Sequence, residues 1–142
     1  MRMTIAFWLP RRADSVSAAR QILDRVFSAF GVQAACRDEI ALAVTEACTN
    51  AVRHAAGQPS FEVAAESDDK TVTIVVSDDG PGIAEGEVGG MPGPNAQHGR
   101  GIALMRISTD GFELRRRRSG GVSVRLLKRL RWRDGAIGRM AG

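Results

Sequence analysis

The sequence predicts an α+β fold, a two-layer α/β sandwich in which helices cover one face of a mainly antiparallel sheet. Two observations lead there. Segments of helical apolar period are interleaved with segments of strict alternation along the 142 residues. The strands of the second half are joined by hairpin-type connections, which only antiparallel neighbours can use. An antiparallel sheet with one wet face packs its other face against helices.

The elements follow in order. Residues 2–9 read as a short strand closed by Pro10. Asp14 or Ser15 can cap a helix reaching about Phe30, because Val16, Ala19, Ile22, Leu23, Val26, Phe27 and Phe30 recur at helical spacing. Gly31 ends it. A second helix spans 34–55, with Ile40, Val44, Ala47, Cys48, Ala51 and Ala55 as its apolar stripe, and Gly57-Gln58-Pro59 stops it. Residues 60–66 and 71–77 alternate: Phe61, Val63 and Ala65 face one way, as do Val72, Ile74 and Val76. Ser67-Asp68-Asp69-Lys70 turns the chain between them. From Asp78 to His98 the chain is rich in glycine and proline without a period, the mark of a functional or disordered loop. A helix starts near Gly99 or Gly101 and carries Ile102, Leu104, Met105 and Ile107. Residues 112–118 and 122–127 form a hairpin through Ser119-Gly120-Gly121. Residues 1–130 are read as a single domain and 131–142 as a flexible basic tail.

Composition narrows the function classes. Hydrophobic content of 44% and charged content of 25% are those of a soluble globular protein. No apolar run approaches the ~20 residues of a membrane span. The apolar patch at 5–9 is too short for a signal-peptide core, so a cytoplasmic location is expected. Two cysteines and two histidines leave little from which to build a zinc site. Cys48 lies on an apolar stripe and should be a buried free thiol. The net charge of +4 is concentrated late: nine Lys/Arg stand against one acid between Phe112 and Arg133. Nucleic-acid binding is disfavoured, since only Phe112 and Trp132 flank the run and no aromatics interleave it. A strand edge guarded by Arg, or a docking surface for an acidic protein, accounts for it better.

Three motifs carry chemistry. In the second helix Glu46, Asn50 and His54 stand at i, i+4 and i+8, along one side and away from the apolar stripe. A carboxylate and a neutral oxygen ligand one turn apart suit a general base beside a hard cation, although an ordinary solvated face has the same pattern. Asp78-Asp79-Gly80-Pro81-Gly82 closes a strand. Its glycines let backbone pass close to a bulky ligand, and its carboxylate can accept from an exocyclic amine such as adenine's; a plain Asp-Gly turn is the alternative. Gly99-Arg100-Gly101 opens a helix, where backbone N–H groups can hold phosphate and Arg100 can add a charge-assisted bond, or where the chain simply hinges.

In this order and spacing, the motifs resemble those of the GHKL superfamily of ATP-binding domains, which includes histidine-kinase catalytic domains, gyrase and the anti-sigma-factor serine kinases. The resemblance runs from about Phe7 to Leu130. It implies that Asn50 coordinates a Mg²⁺ bridging the phosphates of ATP. Asp78 would bind the adenine amine, with Gly80 and Gly82 shaping the pocket. Gly99, Arg100 and Gly101, with His98 beside them, would close over the phosphates. Glu46 would be the general base.

Within the superfamily the chain looks most like the small bacterial anti-sigma-factor serine/threonine kinases. The likeness lies in Phe7-Trp8-Leu9-Pro10, Ala18-Ala19-Arg20, the Glu-Ala-x-x-Asn-Ala run with His54-Ala55, Gly-x-Ala-Leu-Met at 101–105, and Val124-Arg125-Leu126-Leu127. Such kinases phosphorylate a serine on an anti-anti-sigma partner and hold a sigma factor inactive; the resemblance also suggests a homodimer. The alternatives are a catalytically weak ATP-binding module acting through protein contacts, and an orphan histidine-kinase-type catalytic domain, against which stands the lack of a phosphoacceptor helix with a His. The chain departs from the pattern in three places. Ala56 replaces an aromatic or proline, Val122 replaces a threonine that helps order water near adenine, and 84–97 carries no Lys or Arg. Ser123 should point to the opposite face of its strand from Val122.

Overall fold

The structure, a computed structural model, describes residues 2–54, 58–78, 87–88, 99–116 and 121–140. Strand β1 (Met3–Pro10) leads into helices α1 (Ala13–Phe30) and α2 (Ala34–His54). Strands β2 (Ser60–Ser67), β3 (Thr71–Ser77) and the two-residue β4 (Glu87–Val88) follow. Helix α3 (Gly99–Ser108), strands β5 (Gly111–Arg116) and β6 (Val122–Arg129) and the single turn α4 (Ile137–Met140) complete the order. The six strands form one sheet in the order β1-β2-β3-β6-β5-β4, and every pairing is antiparallel. The predicted α+β class holds.

Alternation decides which face is buried. Phe61, Val63 and Ala65 of β2, Val72, Ile74 and Val76 of β3, and Val124 and Leu126 of β6 are all buried in one core with Leu23 and Phe27 of α1 and Val44, Ala47 and Cys48 of α2. Helices α1 and α2 pack together, and α2 also packs on α3, β3 and β6. Both cysteines are free and buried. Burial pushes the Cys48 thiol up to about 12, so it stays protonated and inert.

Local chemistry sets the boundaries. Gly31 caps α1 at φ 97°, with its N–H donating to Phe27 O and Ser28 O. The start of α1 differs from expectation. Its N-cap is Arg12, which makes no side-chain cap bond, and the Ser15 hydroxyl donates instead to Pro10 O at 2.6 Å. The Ser15 side chain thus ties the helix back to β1 rather than capping it. At the β2–β3 turn, Asp68 accepts the Lys70 and Thr71 N–H groups, both at 2.8 Å, and these bonds hold its carboxyl below the usual range.

Of the basic stretch, β6 lies inside the sheet between β3 and β5, while β5 has only the two-residue β4 on its outer side. One expectation is corrected: the chain beyond Leu130 is not frayed where it is described. Trp132 is buried, bridges to Val32 and donates its indole N–H to Asp69 O at 2.8 Å. A Cβ on Gly138 would stand 2.2 Å from the Trp132 ring, and one on Gly31 would stand 2.5 Å from Ala136 Cβ, so the segment is seated on the α1 C-terminus. Isolated residues docking about a hundred positions away leave no periodic trace in sequence.

The antiparallel registers define two ends of the sheet. Pro10 pairs with Ser60, Glu62 with Ser77, and Ser77 with Ser123, so Asp78 and Val122 sit at one end. The other end holds Met3, Ser67, Thr71, Arg129 and Gly111.

Candidate functional site

Asp78 is the most buried acid of the chain's described part, 2% exposed at the end of β3. Val122 N–H donates to both of its carboxylate oxygens, at 2.9 and 3.0 Å, and Asp78 N–H donates to Val122 O at 3.3 Å. This backbone pairing extends the β3–β6 ladder by one residue and turns the carboxylate into a fixed acceptor. Asp78 is thus a buried carboxylate whose orientation the Val122 main chain sets, and a carboxylate is an acceptor-only group of the kind that suits a ligand amine. Val122 lacks the expected hydroxyl, but its main chain orients Asp78. Ser123 does not replace that hydroxyl. It pairs with Ser77 on the face opposite the core strands' Val76 and Val124, as its register predicts.

Helix α2 brings its polar side to the same end. It runs into β2, and the Arg11 guanidinium at the β1–α1 corner donates to Val52 O at 2.7 Å and Arg53 O at 3.4 Å. That cation satisfies carbonyls of the last helical turn and complements the negative helix terminus. Glu46 and Asn50 are half-buried, one turn apart, and among the described residues neither makes a side-chain hydrogen bond or ion pair. Both lie on the α2 flank that carries Glu39, about 20° to either side of it around the helix axis.

Glu39 and the end of α3 share one cation. Lys128 Nζ donates to Glu39 Oε2 at 2.5 Å and to Ser108 O at 3.0 Å, so the last residue of α3 sits beside the early part of α2. From Ser108 back to Gly99 are nine residues, a rise of about 13 Å. The same rise along α2 from Glu39 reaches Cys48, between Glu46 and Asn50. Helix α3 packs on α2, and an α3 running back along α2 from Ser108 would bring its glycine-bearing end toward that turn.

Asp78 therefore lies at the end of the sheet where α2 finishes, while Glu46 and Asn50 lie on α2 and the Gly99–Gly101 turn opens α3, which packs on α2. Gly80, Gly82 and His98 lie outside the described residues, as do the side chains of His54 and Arg100. Sequence reasoning missed Arg11 and Lys128, single cations whose partners are 41 and 89 positions away. A lone Lys in a strand's apolar row was the available signal. Among the described residues no group of three or more His, Cys, Asp or Glu converges as a metal cage.

A model of the histidine kinase-like ATPase domain matches residues 9–128. The chain belongs to that family. The match takes in the last two residues of β1 and runs from α1 to the penultimate residue of β6, a span that includes all three sequence motifs. No curated protein matches the chain. No helix of the domain's described part is long and apolar enough to cross a membrane.

The Glu39 contacts bear on stability against pH. Lys128 first, and then Arg131, hold the Glu39 carboxyl below its ordinary value of 4.5. A carboxylate depressed in the folded state adds stability above the unfolded value, lost as pH falls through the folded one. The melting-temperature gap between wild type and Glu39→Gln should stay constant from pH 7 to about 4.5 and close below it. A gap independent of pH down to 3 would mean that the Glu39 charge contributes nothing. Glu39 is part-exposed, so water screens the pair and the gap should be modest.

Proposed function

We propose that this domain is an ATP- and Mg²⁺-dependent serine/threonine protein kinase acting as an anti-sigma factor, whose substrate is a serine on an anti-anti-sigma partner. The observation that supports the ATP-dependent part is the buried Asp78 carboxylate, held by Val122 N–H at the end of the sheet where α2 finishes. The partner assignment rests on resemblance to the small bacterial anti-sigma-factor kinases.

Each residue then has a role. The fixed Asp78 carboxylate accepts the adenine amine. The Asn50 carboxamide oxygen is a hard neutral ligand suited to Mg²⁺, which supplies charge neutralisation on the phosphates when bound. Backbone N–H groups at the glycine end of α3 face the phosphates. Glu46 takes the proton of the attacking serine hydroxyl as the new serine O–P bond forms and the bond to the departing ADP breaks. Phosphoryl transfer asks for positioning and electrostatics rather than a covalent intermediate, and this set supplies both.

The test is co-purification from the native cell followed by incubation with ATP labelled at the γ-phosphate. A bound partner should become labelled on serine, and chelating Mg²⁺ should abolish the label. ATP bound without any transfer would favour the alternative of a non-catalytic ATP-binding module. Label on a histidine of a partner would favour a histidine-kinase-type activity.

A further inference from the structure

The buried ammonium of Lys128 has no part in the roles assigned above. Its side chain is only 6% exposed, on a row of the sheet otherwise filled by apolar residues, opposite Val72. A buried charge is expensive unless it is paired and fully hydrogen-bonded, so its location calls for a reason. Its two described partners belong to different elements: Glu39 on α2 and the Ser108 carbonyl that ends α3. Glu39 is held in turn by Arg131 beyond β6. The Ser108 hydroxyl and Thr109 hydroxyl donate back to Leu104 O and Met105 O, so the last turn of α3 is closed internally while its final carbonyl is given to Lys128. The ammonium also sits where a helix's negative end favours a cation.

We propose that Lys128, with Glu39, is a positioning pair that sets the location of α3 and so aims its Gly99–Gly101 end at the phosphates of the nucleotide. This rests on the ATP-binding reading above. Helix α3 is short; among its described side chains Met105 and Ser108 are buried, whereas Ile107 is 79% exposed. Its anchor at Ser108 bears on the end about 13 Å away, because a helix transmits a displacement of one end to the other. The pair touches neither nucleotide nor substrate.

Lys128→Met is the informative variant. It removes the ammonium with little change of volume, and Glu39 keeps Arg131, so no carboxylate is left without a cation. Lys128→Arg should rescue, since a guanidinium has donors for both Glu39 and the Ser108 carbonyl. Two measurements are paired. In the nucleotide-free protein, Lys128→Met should speed amide hydrogen exchange across 99–108 and leave β2 and β3 unchanged. By calorimetry, its affinity for Mg-ATP should fall about tenfold, while its affinity for adenosine, which has no phosphates, stays within about twofold; Lys128→Arg should restore both readouts. Equal loss of ATP and adenosine, no loss of ATP, or unchanged exchange in α3 would each overturn the positioning role, with ATP binding by wild type left standing. Wild type that binds neither ATP nor adenosine would overturn the nucleotide reading and this inference together, even with α3 loosened by the variant.

Discussion

Asp78→Asn should lower the affinity for ATP about 100-fold while the protein still folds. The carboxylate accepts Val122 N–H across both oxygens. A carboxamide has one acceptor oxygen, and keeping the Val122 bond would commit it. The amide nitrogen would then meet the adenine amine, donor against donor. Loss of a hydrogen bond to a charged group is worth about 1.5–3 kcal/mol, and each 1.4 kcal/mol is tenfold in affinity. The mismatch places the loss at the upper end of that range. Adenosine should lose affinity by the same factor, because Asp78 reads the base and not the phosphates. The retained Val122 contact should keep the melting temperature within about 4 °C of wild type. Calorimetry with both ligands decides the matter, and unchanged affinity for either removes Asp78 from adenine recognition.

The second large effect is at Glu46. Glu46→Gln should reduce phosphoryl transfer to serine by about 10²–10⁴-fold, the range that general-base catalysis contributes. ATP affinity should change less than about twofold, because Asn50 and not Glu46 is assigned to the metal. A γ-phosphate label-transfer assay at saturating ATP separates the two. Transfer at an unaltered rate would show that another group, or water, accepts the serine proton. Asp78→Asn and Glu46→Gln thus give opposite signatures: one loses binding, the other keeps it and loses chemistry.

Much of the fold was legible because it rests on local periodicity. The helical spacing from Val16 to Phe30, the alternation of Phe61, Val63 and Ala65, and the glycine at 31 are properties of neighbouring residues. Burial and left-handed φ then follow from the pattern. The α1 start was less legible because Arg12, Asp14 and Ser15 all offer polar groups near the helix end, and the carbonyl of Pro10, at the end of the preceding strand, took the Ser15 hydroxyl. The docking of Trp132 was illegible, since its partners Val32 and Asp69 are joined to it only through the folded chain. Valine at 122 reads as a lost hydroxyl in the sequence, whereas in the fold its main-chain N–H orients Asp78.

By itself the sequence determined the identity of the elements and the chemical kind of each candidate: an acid and an amide one helical turn apart, an acid before Gly-x-Gly, and glycines opening a helix. Those are short-range facts, set by 3.6- and 2-residue periods and by what glycine permits. Only the tertiary structure decided how their elements pack. Antiparallel register carries Asp78 to the end of the sheet where α2 finishes, and Lys128 bonds both Glu39 of α2 and the Ser108 carbonyl that ends α3. Register and buried ion pairing join residues dozens of positions apart, and no local pattern encodes them.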